Sequence, residues 1–497
     1  MAKYQPYSYD QVTLLPVSFK DQIHPGTFEY TLSYIIDTKI DLSVFEHKYS
    51  NDDEGRPAIH PGLLLKGVLY AYSKGIIGSR RIQEACRTNV VFMALTANTQ
   101  PHFTTIAAFV SGMKDEIHAI FRDVVLLCME LDLVGGTLFA LDGCKLSSNA
   151  SKELSGTHAQ LREKKTRLEK VLRDLLQRHQ DADTRGDDDG EAERRERSIA
   201  RLEKKITKMR DFLTTAKPKA GKRGGEVQSN VTDNESAKMK SSRGVIQGYN
   251  GQSMVDGKHQ VVVAAEAFGD GRDGDCLAPL LENTNRNLAT PGDPEPLKGR
   301  QVTADTGYYN EANLRHLEEA EIDGYVPDPD FRRRDPRFTG GQERRRSAAR
   351  YSKEDFRYDP ERNQYLCPAG KELHYYQRSS QCGGIKGARY FAKKSDCSSC
   401  PLSSRCLRPG AKKRSLFISE GAQYTAAMKV KIDTASGRRI YSERMRIVEP
   451  VFGNQVHAKG LNRFTLRTKI KVNIQWLLYN LVHNIEKIAN FGQVAYA

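Results

Sequence analysis

Residues 136 to 327 alternate between strand-like and helix-like patterns, and this alternation most constrains the fold. The run "GTLFAL" predicts a buried strand that ends at Asp142, and "VIQGYNGQSMVDGKHQVVVAAEAF" predicts two strands joined by the turn "DGKH". An amphipathic helix in "DCLAPLLENTNRNLA" follows, then a strand that ends at Asp305, a second helix and a last strand. Elements in this order are typical of a mixed α/β sheet domain.

Helical patterns surround and interrupt this region. Residues 1–135 are predicted to be mainly helical. Their short helices, with basic residues at a turn, are typical of either a helix-turn-helix DNA-binding domain or a small helical packing domain, and both interpretations stay open. A seven-residue leucine spacing predicts an antiparallel coiled-coil hairpin, inserted over 155–225: Leu161, Leu168, Leu175. Residues 474–488 predict an amphipathic helix, and its apolar stripe should bury Trp476.

The charge balance indicates a polyanionic partner. Lys and Arg number 77 against 62 for Asp and Glu, a net charge of +15, which suits nucleic acid or an anionic membrane surface. Because no long apolar run is free of acids and no secretory signal pattern opens the chain, we expect no membrane span and a cytoplasmic location. The arginine runs at 332–334 and 344–346 suit either phosphate contacts or a solvated loop.

Three acids are candidates for catalysis. Asp142 and Asp305 each end a predicted strand, where a carboxylate is held rigidly yet open to solvent, as a Mg²⁺ ligand requires; the alternative is that each only starts a turn. The third lies in the basic stretch "YSERMRIVEPVFGNQVHAKG" and is either Glu443 or Glu449, which point to different sides of a helix. Pro450 predicts a break or a kink in the helix at Glu449.

Four blocks, in this order, resemble the signature blocks of bacterial insertion-sequence transposases of the DDE type: "FALDGCKLSSNAS", "YNGQSMVD", "VTADTGYYN" and "VEPVFGNQVHAKGLNRFTLR". The resemblance implies a ribonuclease H-like catalytic fold and a triad of Asp142, Asp305 and Glu449 that binds two Mg²⁺ or Mn²⁺ ions. It also implies cleavage at the terminal inverted repeats of the element, strand transfer to target DNA, a homodimer or higher synaptic complex, and association with the nucleoid. The alternatives are a nuclease of the same fold without strand transfer and an inactive DNA-binding regulator.

The resemblance also implies DNA-contacting residues around the glutamate. Related transposases carry a tyrosine, an arginine, the glutamate and a lysine at fixed offsets along one helix. Tyr441, Arg444 and Lys459 match in order but not in spacing, and His457 stands beside the expected lysine position. Two further arginines of the last block complete the predicted DNA-binding set: Arg463 and Arg467.

The late cysteines predict a structural zinc site. The set is Cys367, Cys397, Cys400 and Cys406, with Cys382 as a substitute ligand; reduced buried cysteines are the alternative. The predicted domains are a helical DNA-binding or assembly domain at 1–135, a catalytic domain at 136–327 with 415–497, the helical insertion, and an Arg-rich and Cys-rich insertion at 328–414.

Overall fold

The computed structural model describes residues 18–49, 57–183, 189–221, 224–241, 244–341, 350–382 and 385–492. The predicted arginine run at 344–346 and the side chain of Cys382 lie outside the described residues. The chain forms two compact units: the described residues up to 134 with 453–461 and from 474 onward, and residues 135–452 with 462–473. The sequence-based division grouped all of 415–497 with the catalytic domain, whereas most of the last helix belongs to the first unit.

The first unit is helical, as its sequence patterns predict. Its N-terminal helices begin at capping residues such as Thr27 and Asn89, whose side chains accept the first free backbone N–H groups. The apolar stripes of these helices meet in a core that includes Ile35, Leu65 and Leu69. The helices are α1 Phe28–Thr38, α2 Pro61–Ser73, α3 Ser79–Thr88, α4 Val90–Leu95, α5 Phe103–Gly112 and α6 Glu116–Glu130.

The second unit is built on a mixed sheet with the order β10-β9-β1-β7-β6, in which β8 also pairs with β7. β1 is antiparallel to β7 and parallel to β9, so the predicted α/β class is confirmed. The first strands are β1 Leu138–Ser147, β2 Ser155–Gly156, β3 Lys219–Ala220, β4 Glu226–Val227, β5 Ser229–Asn230, β6 Ala237–Ser241, β7 Gly244–Asp256, β8 Val262–Phe268, β9 Gln301–Ala304 and β10 Asp323–Tyr325.

The predicted end of the first strand is wrong. The strand was expected to end at Asp142, but β1 runs on to Ser147 because residues 142 to 147 pair with β7. Asp142 therefore lies in the middle of a strand that has neighbours on both sides, and its backbone is held more firmly than at a strand exit.

The helical insertion is a hairpin of α7 His158–Asp183 and α8 Asp189–Thr215. Leu161 and Met209 are fully buried between the helices, and an ion pair joins Glu169 to Arg210 at 4.0 Å. These contacts pair the start of α7 with the end of α8, so the helices are antiparallel, as the leucine spacing predicts.

Two predicted helices are also present: α9 Leu277–Leu288 leads from β8 to β9, and α10 Glu311–Glu319 leads from β9 to β10. They supply the crossovers that parallel strands require. A second, antiparallel sheet follows in the order β11-β12-β13-β14-β15. Its strands are β11 Arg357–Asp359, β12 Gln364–Leu366, β13 Glu372–Cys382, β14 Ile385–Ala392 and β15 Ser415–Ser419.

The remaining helices are α11 Phe331–Arg334, α12 Lys394–Ser398, α13 Ser403–Cys406, α14 Ala422–Asp433, α15 Ala435–Gly453 and α16 Lys469–Phe491. Pro450 lies inside α15, so of the predicted break or kink at Glu449 the break is wrong: losing one N–H bond does not end a helix whose packed face continues to the buried Val451. Trp476 on α16 is fully buried, as predicted. No helix among the described residues is long and apolar enough to cross a membrane.

Candidate functional site

Two of the predicted catalytic acids lie side by side on neighbouring strands. Leu141 of β1 and Ala304 of β9 are register partners in a parallel pair, so Asp142 and Asp305 are the next residues along each strand. Neighbouring strands lie about 4.8 Å apart, which brings the two carboxylates within mutual reach. Asp305 directly follows β9, and its Oδ1 accepts the backbone N–H of Gly307 at 2.7 Å.

A third carboxylate at this site, Asp273, was missed by the sequence analysis. Its Oδ1 accepts hydrogen bonds from Asn250 Nδ2 at 2.7 Å and Gln252 Nε2 at 3.1 Å. A Cβ on Gly307 would lie 2.9 Å from Asp305 Oδ1 and 3.0 Å from Asp273 Oδ2, so the two acids flank this glycine. The acidic turn "GDGRDGDC" was the available signal, but nothing in it distinguishes one aspartate from the next.

Two acids of this site, Asp142 and Asp305, resist ionisation. Burial raises the pKa of Asp142 and of Asp305, and the charge of Asp142 raises the pKa of Asp305 further. Asp273 adds to both shifts, whereas Arg444 lowers both. Because half-buried like charges repel, a bound divalent cation would relieve a real electrostatic strain, and carboxylate oxygens are the ligands that Mg²⁺ prefers.

Arg444 on α15 supplies the cation that now offsets this charge. Its Nη1 donates to Asp142 Oδ2, and the two side chains are only 9% and 24% exposed. The guanidinium carbon lies 5.8 Å from the centre of the Tyr441 ring, which packs edge-on against Phe331. The Nε of Arg444 is buried without a hydrogen-bond partner. Arg444 and Tyr441 therefore form part of the acidic site.

The predicted third acid does not join the aspartates. Glu449 is exposed on α15, and no described contact links it to Asp142 or Asp305. Five residues correspond to about 140° around a helix, so Glu449 points away from the side on which Arg444 reaches Asp142. The alternative, Glu443, is bonded to Arg446 instead, at 2.8 Å. The structure thus brings together two members of the predicted triad.

Of the predicted DNA-contacting residues, Arg463 and Arg467 are exposed beside the end of β1. Arg467 Nε donates to the carbonyl of Asn149 at 2.7 Å, and Arg463 Nη2 lies 3.4 Å from Asn149 Oδ1. His457 is exposed in the first unit. Arg463 and Arg467 are therefore anchored to the segment that directly follows β1, the strand of Asp142, with their charges at the surface.

Lys459 is placed differently. Its side chain is 2% exposed, and its Nζ donates to Glu486 Oε2 at 2.6 Å and to Asn454 Oδ1 at 2.7 Å. Burial lowers its pKa, and Glu486 opposes that shift. The ammonium is thus committed to an ion pair inside the first unit.

The four predicted zinc ligands all line one cavity of about 20 Å³: Cys367, Cys397, Cys400 and Cys406. They are free thiols. As they are placed, no three His, Cys, Asp or Glu side chains among the described residues form a group ready to hold a metal ion.

The fold and the site define an α/β protein whose paired carboxylates suit a divalent metal. Residues 366–489 match the family model of a transposase DDE domain, and residues 17–112 match that of a second transposase domain. No curated protein matches the chain. These two matches indicate an insertion-sequence transposase of the DDE type, as the motifs predicted.

Proposed function

We propose that this transposase binds the ends of its own element, cuts the phosphodiester bond at each boundary, and joins the freed 3′-hydroxyl to target DNA. The observation that carries the proposal is the pair Asp142 and Asp305 on neighbouring strands, in a chain that matches two transposase models. These two residues would hold Mg²⁺ or Mn²⁺, which supplies an activated water and stabilises the leaving oxygen. Such a protein would act on DNA in the bacterial cytoplasm, at the nucleoid.

A ribonuclease H-like fold is part of this proposal. Three neighbouring antiparallel strands, β1, β7 and β8, stand beside two parallel strands, β9 and β10. A helix precedes each parallel strand. This order supports the fold that the motifs imply, with Asp142 on the central strand.

We assign the third catalytic acid to Glu449, which shares α15 with Arg444. Arg444 now faces Asp142, so Glu449 would reach the aspartates after α15 turns and the guanidinium leaves. Asp273 is the competing third acid, because its charge already acts on both aspartates. Three variants separate these assignments. Loss of cleavage only in Glu449→Gln supports Glu449, and loss of cleavage only in Asp273→Asn supports Asp273. Glu443→Gln is the matched control on the same helix as Glu449.

DNA contacts are proposed for Tyr441, Arg444, His457, Arg463 and Arg467, with further charge from the basic surface. Arginines can hold the phosphates on either side of the cut bond.

Lys459 is given a different role. Its buried pair with Glu486 supports a structural role in the first unit rather than a phosphate contact. A homodimer or higher assembly would bring two element ends together, as strand transfer requires.

The test uses a supercoiled plasmid that carries the element ends, with Mg²⁺ or Mn²⁺. We expect joined products from the wild type and no cleavage from Asp142→Asn or Asp305→Asn, with DNA binding retained because the substitutions remove only one charge each. Nicked or linear products without joining would favour the nuclease alternative. Cleavage that survives both substitutions would refute the site, and binding without cleavage by the wild type would favour the regulator.

A further inference from the structure

Four cysteines beside the second sheet, from separate points of the chain, line one small cavity. Cys367 lies in the turn after β12, Cys397 in α12, Cys400 between α12 and α13, and Cys406 at the end of α13. The cavity has a volume of about 20 Å³, on the scale of a single water molecule or ion. Four soft sulfur donors around a volume of this size are the donor set of a closed tetrahedral site.

A backbone hydrogen-bond donor is aimed at one of these sulfurs. The backbone N–H of Lys371 donates to Cys367 Sγ at 3.3 Å, across a turn closed by Gly370 with φ +72°. A donor directed at sulfur stabilises a thiolate more than a thiol.

Arg414 provides a second, independent sign of negative charge at the cavity, which it lines. Its guanidinium is anchored by Nη1 to the Cys406 carbonyl at 2.7 Å and by Nη2 to the Tyr351 carbonyl at 2.9 Å. Its Nε–H, however, is buried without a partner. A buried donor that lacks an acceptor is costly, and a thiolate in the cavity would satisfy it.

We propose that Cys367, Cys397, Cys400 and Cys406 bind one structural Zn²⁺ as thiolates. As placed, the thiols surround the cavity without converging on one point, so ligation requires rotation about χ1, which moves each sulfur while the backbone stays in place. With four protein ligands the ion has no open position, so it stabilises the fold rather than acting in catalysis. This site does not depend on the proposed transposition activity.

The second sheet has a physical reason to need such an ion. Among the described residues its core cluster has six buried members: Phe356, Leu373, Tyr390, Ala392, Cys397 and Leu416. So small a core contributes little stability by itself, and a metal that ties the strand-connecting segments together compensates for it.

The test measures metal in the full chain, purified without a polyhistidine tag. We expect about one zinc per chain by mass spectrometry. Replacement by Co²⁺ should give the visible absorption of tetrahedral cobalt thiolate. Cys397→Ser and Cys400→Ser should lose most of the zinc, whereas Cys86→Ala, a buried thiol in the first unit, should keep it.

A measurement on the wild type covers the case in which the serine variants misfold. Zinc release with a chelator, followed by a chromogenic indicator, should expose about four newly reactive thiols for each ion released. Four results would each overturn the proposal. They are wild-type protein without zinc, zinc retained in both serine variants, zinc release that exposes no new thiols, and a protein mass lower by two hydrogens, which would indicate a disulfide.

Discussion

The ion pair between Arg444 and Asp142 can be measured by a double-mutant cycle. Removing one partner of a buried pair costs about 3–5 kcal/mol, because the other charge is left buried and unpaired. Arg444 is 9% and Asp142 24% exposed, so water screens part of this loss. We therefore expect Arg444→Gln to lower the free energy of unfolding by about 2 kcal/mol at pH 7. The Arg444→Gln/Asp142→Asn double variant should lose less than the sum of the single variants.

The assay is urea unfolding in buffer without added divalent ions. A coupling energy near 2 kcal/mol supports the pair, and one below about 0.5 kcal/mol would refute the reasoning, since that is the scatter of independent sites. Arg446→Gln is the matched control on the same helix: it removes an exposed arginine paired with Glu443, and its effect should stay below about 0.5 kcal/mol.

The same variant tests competition for the aspartate. If the guanidinium occupies the side of Asp142 that a cation would approach, the thermal shift produced by Mg²⁺ or Mn²⁺ should be larger in Arg444→Gln than in the wild type. An equal or smaller shift would show that Arg444 and the ion do not compete.

Three further predictions follow from the contacts. Gly143→Ala would place a Cβ against the buried Gln252 Nε2 and should lower the free energy of unfolding, measured in urea, by about 2 kcal/mol. Gly292→Ala is the control: open space surrounds this glycine, so the free energy of unfolding should not fall. The raised pKa of Asp305 means that the fold favours the protonated carboxyl. Its protonation therefore stabilises the fold below the ordinary carboxyl pKa, and this stabilisation is lost as the pH rises through the raised pKa. Asp305→Asn should raise the Tm at pH 7 but not at pH 3, and an unchanged Tm at pH 7 would contradict this. Lys459→Met should lower the free energy of unfolding by about 2 kcal/mol yet leave the salt dependence of DNA binding unchanged, because its ammonium is buried; a shallower salt slope would contradict this.

Local patterns in the sequence were sufficient for the secondary structure and the family. Alternating apolar runs predicted the strands on either side of Asp305, and the leucine spacing predicted the hairpin of α7 and α8, because both depend on near neighbours in the chain. The "FALDGCK" and "VTADTGYY" blocks marked Asp142 and Asp305 in the same way, and the two transposase matches indicate the family that the motifs predicted. The extent of β1 was missed, since its pairing partner lies about a hundred residues away in β7.

The sequence by itself therefore determined the α/β class, pointed to the transposase family, and singled out two aspartates and four cysteines as candidates. Only the tertiary structure decided which charges meet. It placed Asp273 beside the two aspartates, turned Arg444 rather than Glu449 toward Asp142, and buried Lys459 against Glu486. The physical reason is that a motif specifies residue types along the chain, whereas the rotation of a helix and the burial of a charge follow from packing between segments far apart in sequence.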